Sequence, residues 1–293
     1  MDHKAEVRDF LRSRRARIAP EQVNLVAGRS RRVPGLRREE VALLAGVSVD
    51  YYAQLERGDL GGASDEVLHA IARALRLDDA ETAHLFDLAR SVQPSSARLR
   101  RPNRGAQAVR PSLQRFVDAI DAPVWVRNDR MDFVATNNLG RALFSPIFAL
   151  PERPANNARF VFLHEDQSRS FYVDWEQKAG DIVATLRGYA GQHPHDRELR
   201  DLIGELATKS TTFSGLWARH DVRFHHTGSK RIHHPVVGEL ELDYESFELS
   251  SDPGWHLFAY SAEPQSASDE RLRVLASWTA TPDNESETES TRA

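Results

Sequence analysis

The chain has 293 residues, and its 39 Lys and Arg against 43 Asp and Glu give a formal net charge of −4. This length is typical of two domains, and the absence of cysteine from the sequence excludes disulfides and thiolate metal sites. No apolar run approaches the roughly twenty residues of a membrane span, and no apolar run follows the basic N-terminus. We therefore expect a soluble, cytoplasmic protein.

The charge is distributed unevenly. Residues 1–110 hold 20 Lys and Arg against 15 Asp and Glu, whereas the remainder holds 19 against 28. Between Asp87 and Asp118 there is no acidic residue, and several Pro and Arg residues occur there, which is typical of a basic linker. We predict one domain over 1–92, a linker over 93–111, a second domain over 112–280 and a disordered tail over 281–293, where Thr, Ser, Glu and Asp predominate.

Two short helices joined by a turn are predicted early in the first domain. The first would bury one apolar face, formed by Val41, Leu44 and Ala45. Gly46 permits the positive φ of a sharp turn, and Ser48 can cap the second helix. Tyr52 and Leu55 would then face inward with Val47. The outward residues of the second helix are those that could reach base edges in a major groove, namely Val49, Asp50, Tyr51 and Gln54.

An amphipathic helix precedes this pair, and two helices with predicted caps at Ser64 and Asp78 follow it. The apolar helix, the Gly turn and the ending Leu55-Glu56-Arg57-Gly58 resemble the helix-turn-helix of the Cro/repressor-type (XRE) family. The resemblance implies an all-α five-helix domain that binds a double-stranded DNA operator, and such regulators usually read paired half-sites as homodimers. The alternative for a helix pair alone is an ordinary helical hairpin.

Arginines cluster before and at the first helix of this pair, where groups that contact the DNA backbone lie in that family. A solvated charged face is the alternative reading of such a cluster. The residues predicted to contact phosphate are Arg14, Arg17, Arg31, Arg32, Arg37, Arg38 and Arg57.

The second domain mixes strands and helices. A hairpin is predicted over 124–127 and 131–136, followed by helices that carry Trp175, Leu199 and Phe213. In 239–245 every second residue is acidic, which is typical of an antiparallel strand with one solvent-exposed face and one buried face. A further strand at 255–260 and a closing helix complete an α+β order.

Three segments of this domain, in this order, resemble motifs of the MmyB-like regulators: 174–176, 216–222 and 234–238. The resemblance implies a PAS-like, ligand-binding domain, since a member of that family has been seen with a fatty acid. No other cofactor is expected. Nothing in the spacing of the residues indicates an acyl ligand.

Large aromatic residues of this domain are first of all candidates for the core. A subset could line an apolar pocket for a hydrophobic effector, with Arg127, Arg219 or His234 at a carboxylate head. The alternative for each of these three is an ordinary ion pair. The predicted pocket residues are Phe133, Phe144, Trp175, Phe213, Trp217, Leu242 and Tyr244.

The sequence favours two other functions less. His220, His225, His226, His233 and His234 could bind a metal, but adjacent strand residues point to opposite faces, so each adjacent pair offers one inward ligand. We therefore predict no metal site and, because no catalytic motif is present, no enzyme. The sequence favours a ligand-responsive DNA-binding regulator; the alternative is a metal-responsive or constitutive repressor whose second domain serves mainly for dimerisation.

Overall fold

The structure is a computed structural model that describes residues 3–25, 33, 35–92, 108–193, 195–219 and 227–280. Most of the predicted linker, the tail, Arg31, Arg32, His220, His225 and His226 lie outside these residues. The chain forms two compact units, the first comprising 1–105 with 180–224 and the second 106–179 with 225–293. Residues 180–224, which the sequence analysis placed in the second domain, therefore cluster with the first unit.

The first part of the chain is helical. Its elements are α1 (His3–Arg17), a 3-10 helix (Pro20–Val23), α2 (Arg38–Ala45), α3 (Val49–Glu56), α4 (Asp65–Ala74) and α5 (Asp79–Val92). Their apolar faces form one core, which includes Val7, Phe10, Leu36, Leu55 and Ile71.

The predicted helix starts and the turn between α2 and α3 are confirmed. Ser48 accepts a hydrogen bond from the Tyr51 amide at 3.1 Å, and Ser64 caps α4 in the same manner. Gly46 ends α2 with φ 68°, a left-handed conformation that glycine adopts without a Cβ penalty. The predicted inward face of α2 needs one correction: Leu44 is partly exposed, and Ala42 is buried instead.

The remaining helices follow in chain order. They are α6 (Pro111–Asp118), α7 (Asn138–Leu143), α8 (Ser145–Phe148), α9 (Asn157–Leu163), α10 (Glu165–Phe171), α11 (Trp175–Gln192), α12 (Arg197–Lys209), α13 (Thr211–Trp217) and α14 (Ala267–Ala280). The division between the two units falls within α11, and α12 and α13 belong to the first unit.

The second unit contains a five-stranded antiparallel sheet in the order β2-β1-β5-β4-β3. The strands are β1 (Val124–Asn128), β2 (Phe133–Thr136), β3 (Thr227–His234), β4 (Gly238–Glu248) and β5 (Trp255–Ser261). An antiparallel α+β arrangement was predicted, and the sheet confirms it.

The alternation predicted for β4 is confirmed, because Leu240, Leu242 and Tyr244 are buried while the acidic residues between them are exposed. The strand registers place Trp125, Arg127, Phe258, Tyr260, Tyr244 and Lys230 on the same side of the sheet as these residues. We call this side the inner face. On the other side, α6 packs over β1, β2 and β5 in a small apolar core. Phe247 points to that other side and is 55% exposed, so the expectation that the large aromatic residues of this domain lie in the core was wrong for Phe247.

Candidate functional site

The second helix of the helix-turn-helix has the orientation that the sequence predicted. Tyr52 is fully buried and Leu55 nearly so, whereas Val49, Asp50 and Gln54 are exposed. Tyr51, beside them, is half-buried. Inward packing of Tyr52 therefore leaves Val49, Asp50 and Gln54 on the exposed side of α3, and the exposed side chains of a recognition helix are those that reach base edges.

The side chain of Gln54 has a polar partner just beyond the end of α3. Its side-chain amide donates to a carboxylate oxygen of Asp59 at 2.8 Å. Both residues are exposed, so this hydrogen bond can exchange with water or with a base edge at modest net cost.

A buried carboxylate holds α3 to the two helices that precede it. Glu56 is 1% exposed, and it accepts from Arg15 of α1 at 2.8 Å and from Arg38 of α2. Burying a charge is costly unless it is paired and hydrogen-bonded. The Glu of the Leu55-Glu56-Arg57-Gly58 ending is therefore a structural group that fixes the helix pair.

The arginines predicted to contact phosphate fall into separate groups. Arg14 is only 2% exposed and pairs with Glu81 at 2.9 Å, so its assignment as a phosphate contact is corrected: it is a core ion pair. Burial raises the pKa of Glu81, and Arg14 acts in the opposite direction. Arg38 is partly exposed but holds Glu56. The side chains of Arg17, Arg37 and Arg57 are exposed as well, so the prediction that they contact phosphate stands for these three.

The predicted pocket residues are divided between the two units. Phe133, Phe144, Leu242 and Tyr244 lie in the second unit together with Trp175, and all five are buried. Phe213 and Trp217 lie in the first unit, where their rings stack at 5.5 Å between centroids.

Aromatic rings make up most of the inner face near its centre. The ring of Trp125 stacks on Phe133 at 4.3 Å and on Phe258 at 4.8 Å, and Phe144 lies 5.5 Å away. Tyr260 continues the group, and burial raises the pKa of its hydroxyl well above the ordinary value, which keeps it protonated. We call these five residues the aromatic cluster.

Trp175 lies apart from the aromatic cluster. Its indole nitrogen donates to Ser168 at 2.7 Å, its ring packs edge-on to Phe162, and the guanidinium of Arg169 covers it at 3.6 Å. These contacts join the start of α11 to α9 and α10.

Two cationic side chains border the aromatic cluster. The guanidinium of Arg127, a residue 7% exposed, lies 4.9 Å from the centroid of Phe258 and also contacts the Met131 sulfur. The ammonium of Lys230 lies 6.0 Å from the same centroid and donates to the Tyr260 hydroxyl at 2.9 Å. Sequence reasoning named Arg127 and missed Lys230, although a lysine at an inward strand position, two residues before Ile232, is a signal that β alternation could have revealed.

His234 is occupied by backbone contacts. Its Nδ1 accepts from the amides of Val236 and Val237, and its Nε2 donates to the carbonyl of Ala142 at 3.0 Å. Burial lowers the pKa of this imidazole. It therefore serves as a structural group of the turn between β3 and β4, not as a contact for a carboxylate head. Arg219, the third candidate, lies in the first unit and is exposed.

Two absences apply to the part of the chain that the structure describes. Within it, no three metal-ligating side chains converge on a common point. No helix there is long and apolar enough to cross a membrane.

Comparison with protein-family models gives two matches in the order of the fold. Residues 6–85 match a helix-turn-helix domain, and residues 109–275 match the MmyB-like transcription regulator ligand binding domain. A search of curated proteins finds no matching relative. The helical DNA-binding region and the α+β ligand-binding region together define the class of the protein. It is a helix-turn-helix transcription regulator. Because the second model covers more than half of the chain, the chain belongs to the MmyB-like transcription regulators.

Proposed function

We propose that the protein is a sequence-specific DNA-binding regulator, not an enzyme, whose operator affinity changes when a hydrophobic small molecule binds to the second unit. The observation that carries the DNA-binding half is the orientation of α3, with Tyr52 inward and Gln54 outward. The observation that supports the ligand half is the inner face, where two cations border the aromatic cluster.

The proposed ligand is an amphipathic anion, with a fatty-acyl chain as the first candidate. Its apolar part would pack against the rings of the aromatic cluster, and its anionic head would lie near Arg127 and Lys230. Both cations lie within 6.0 Å of one ring centroid, so an anion there would offset their mutual repulsion in a poorly solvated place. The antiparallel sheet, with helices connecting β2 to β3, supports a PAS-like description of this unit.

The ligand is tested with two probes that differ only in charge, dodecanoate and 1-dodecanol, titrated calorimetrically into the full-length protein. We expect dodecanoate to bind at least tenfold more tightly, and Lys230→Met to remove most of that preference. Lys209→Met is the control, because this lysine is exposed and pairs with Glu205 on the surface of α12. Equal binding of both probes would contradict the anionic class, and no binding of either would contradict the acyl proposal.

The DNA half is tested with a duplex recovered from a random library by the full-length protein. Binding driven by phosphate neutralisation weakens steeply with salt, with a slope set by the number of contacts. Arg37→Ala and Arg57→Ala should each weaken binding to all sequences and flatten the slope, whereas Arg90→Ala on α5 should not. An unchanged slope in both variants would remove these arginines from the interface.

A regulatory role requires both ligand binding and DNA binding, and a connection between the two. A ligand alters operator affinity only if it binds the DNA-competent and DNA-incompetent states with different affinities. Operator affinity is therefore measured with and without saturating dodecanoate. Tight binding with unchanged operator affinity would leave the ligand site and remove its regulatory role.

A second candidate function is a metal-responsive or constitutive repressor whose second unit serves mainly for homodimer formation. The observation in favour of a dimerisation role is α14, where Val274 and Trp278 lie four residues apart on one face and are both largely exposed. Sedimentation of the wild type and of Trp278→Glu distinguishes the roles. A dimer lost in the variant, in a protein that binds neither probe, would favour this candidate.

A further inference from the structure

One arginine of α11 is buried completely. Arg187 is 1% exposed, and its guanidinium pairs with Glu6 of α1 and donates to the backbone carbonyl of Trp217. The same guanidinium lies 4.1 Å from the centroid of the Trp217 ring. A buried charge is stable only with such compensation, so removing either charged partner takes an opposite charge away from the other in a poorly solvated place.

This pair joins residues that the two family models assign to different domains. Glu6 falls within the helix-turn-helix match and Arg187 within the ligand-binding match, and both lie in the first compact unit. Two further contacts accompany the pair. Arg17 donates to the carbonyl of Arg219 at 2.9 Å, and a Cβ on Gly191 would lie 2.7 Å from the ring of the buried His84. The end of α11 and the end of α13 thus pack closely on α1 and α5.

The same helix α1 supports the recognition helix. Arg15 of α1 binds the buried carboxylate of Glu56 at the end of α3. Close behind it, Gly58 has φ 100°, and a Cβ there would lie 2.7 Å from the backbone of Lys4. A contiguous set of ion pairs and close backbone contacts therefore runs from α11 through α1 to α3.

We infer that the Glu6–Arg187 ion pair couples the ligand-binding part of the chain to the recognition helix. The inference rests on the proposed function, because it assigns the route by which occupancy of the second unit reaches DNA. A ligand that favours a different placement of α11 must either carry α1 with it or break the pair. Either outcome changes the contacts by which α1 holds α3 in place. If α1 and α11 have two such arrangements, ligand binding and DNA binding can each shift the equilibrium between them.

Thermodynamic reciprocity allows a test that needs no ligand. If α11 and α3 are coupled, DNA binding must in turn change the stability of α11. Amide hydrogen exchange over residues 181–192 is measured in the full-length protein, free and saturated with the selected duplex. We expect DNA to slow exchange in this segment at least threefold in the wild type. In Glu6→Gln, which keeps an acceptor but loses the charge, we expect most of that protection to disappear.

The matched control is Asp9→Asn, since Asp9 is on the same helix and pairs with Arg8 at the surface. This variant should show the wild-type protection. No DNA-dependent protection of 181–192 in the wild type, or equal protection in Glu6→Gln, would overturn the coupling. Absence of any DNA binding would instead overturn the proposed function.

The same variants are then compared in the operator titration with and without dodecanoate. For Glu6→Gln we expect unchanged dodecanoate affinity and an operator-affinity ratio that approaches one. A ratio equal to the wild-type value would contradict the coupling and leave the regulator intact. If the wild-type protein does not bind dodecanoate, the proposed ligand class is contradicted. The hydrogen-exchange experiment then still decides whether the Glu6–Arg187 pair couples α11 to α3.

Discussion

Positive side chains make different close contacts in the two compact units. In the first unit Arg14 pairs with Glu81, Arg15 with Glu56 and Arg187 with Glu6. In the second unit the cations of the inner face, Arg127 and Lys230, lie against aromatic rings and meet a thioether and a phenol.

This difference indicates different uses of charge. A carboxylate partner fixes the distance and direction between two helices, which suits a unit that must hold a recognition helix in one orientation. A ring attracts a cation more weakly and without a fixed direction, so a cation beside rings can reorient toward an incoming anion. Under the proposed function, the ion pairs of the first unit fix the geometry of α3, and the cations of the inner face recognise the ligand.

The largest effect is expected for Arg187→Met. Loss of the guanidinium leaves Glu6 without its buried partner, and breaking such a pair costs about 3–5 kcal/mol of folding free energy. Urea unfolding measures the change, with Arg90→Met as control, since that arginine is largely exposed and its pair with Asp87 contributes about 1 kcal/mol or less. Equal losses in both variants would show that burial of the Arg187 pair adds nothing to its contribution to stability.

Gln54→Ala tests whether the exposed side of α3 discriminates between DNA bases. Because Gln54 faces outward, its removal should leave stability unchanged and relax discrimination at one base step by about 1–3 kcal/mol. Competition binding against single-base variants of the selected duplex measures this, and Gln177→Ala, an exposed glutamine on α11, is the control. A uniform loss across all duplexes would show that Gln54 does not read a base.

Lys230→Met should cost less folding free energy than Arg187→Met. The methionine keeps the apolar contact with Tyr244, whose centroid lies 4.2 Å from the Lys230 ammonium. The losses include the cation–ring attraction of about 1 kcal/mol and the hydrogen bond to the Tyr260 hydroxyl, but no carboxylate loses its cation. Urea unfolding of the two variants under one set of conditions gives the comparison. A loss as large as that of Arg187→Met would mean that Lys230 is a structural cation.

The smallest effect is a pH dependence from His234. Burial lowers its pKa in the folded state below the unfolded value, so its contribution to stability is complete above pH 6.5 and decreases as the pH falls through the lower, folded pKa. The urea midpoint at pH 5 relative to pH 7.5 should therefore fall less in His234→Gln than in the wild type. His233→Gln, at the exposed neighbouring position, should retain the wild-type difference.

Short-range patterns in the sequence were sufficient to predict most of the helices and strands. Ser48 and Gly46 act through their own backbone neighbours, and the acidic alternation of β4 needs only the two-residue period of a strand. For the same reason the exposure of Val49, Asp50 and Gln54 could be predicted, since burial of Tyr52 fixes the phase of one short helix. Tyr51, predicted to face outward with them, instead packs partly against the core. The match to known motifs then indicated the class of regulator.

Only the tertiary structure decided which charges are buried and what they meet. Arg14 has the sequence context of a phosphate contact, yet its partner Glu81 belongs to another helix. Arg187 lies among apolar residues in the sequence of α11 and could be recognised as unusual, but neither Glu6 nor Trp217 is near it in sequence. Helical and strand periods are set by the backbone over a few residues, so sequence determines them; the partner of a buried charge is set by long-range packing, which no local pattern records.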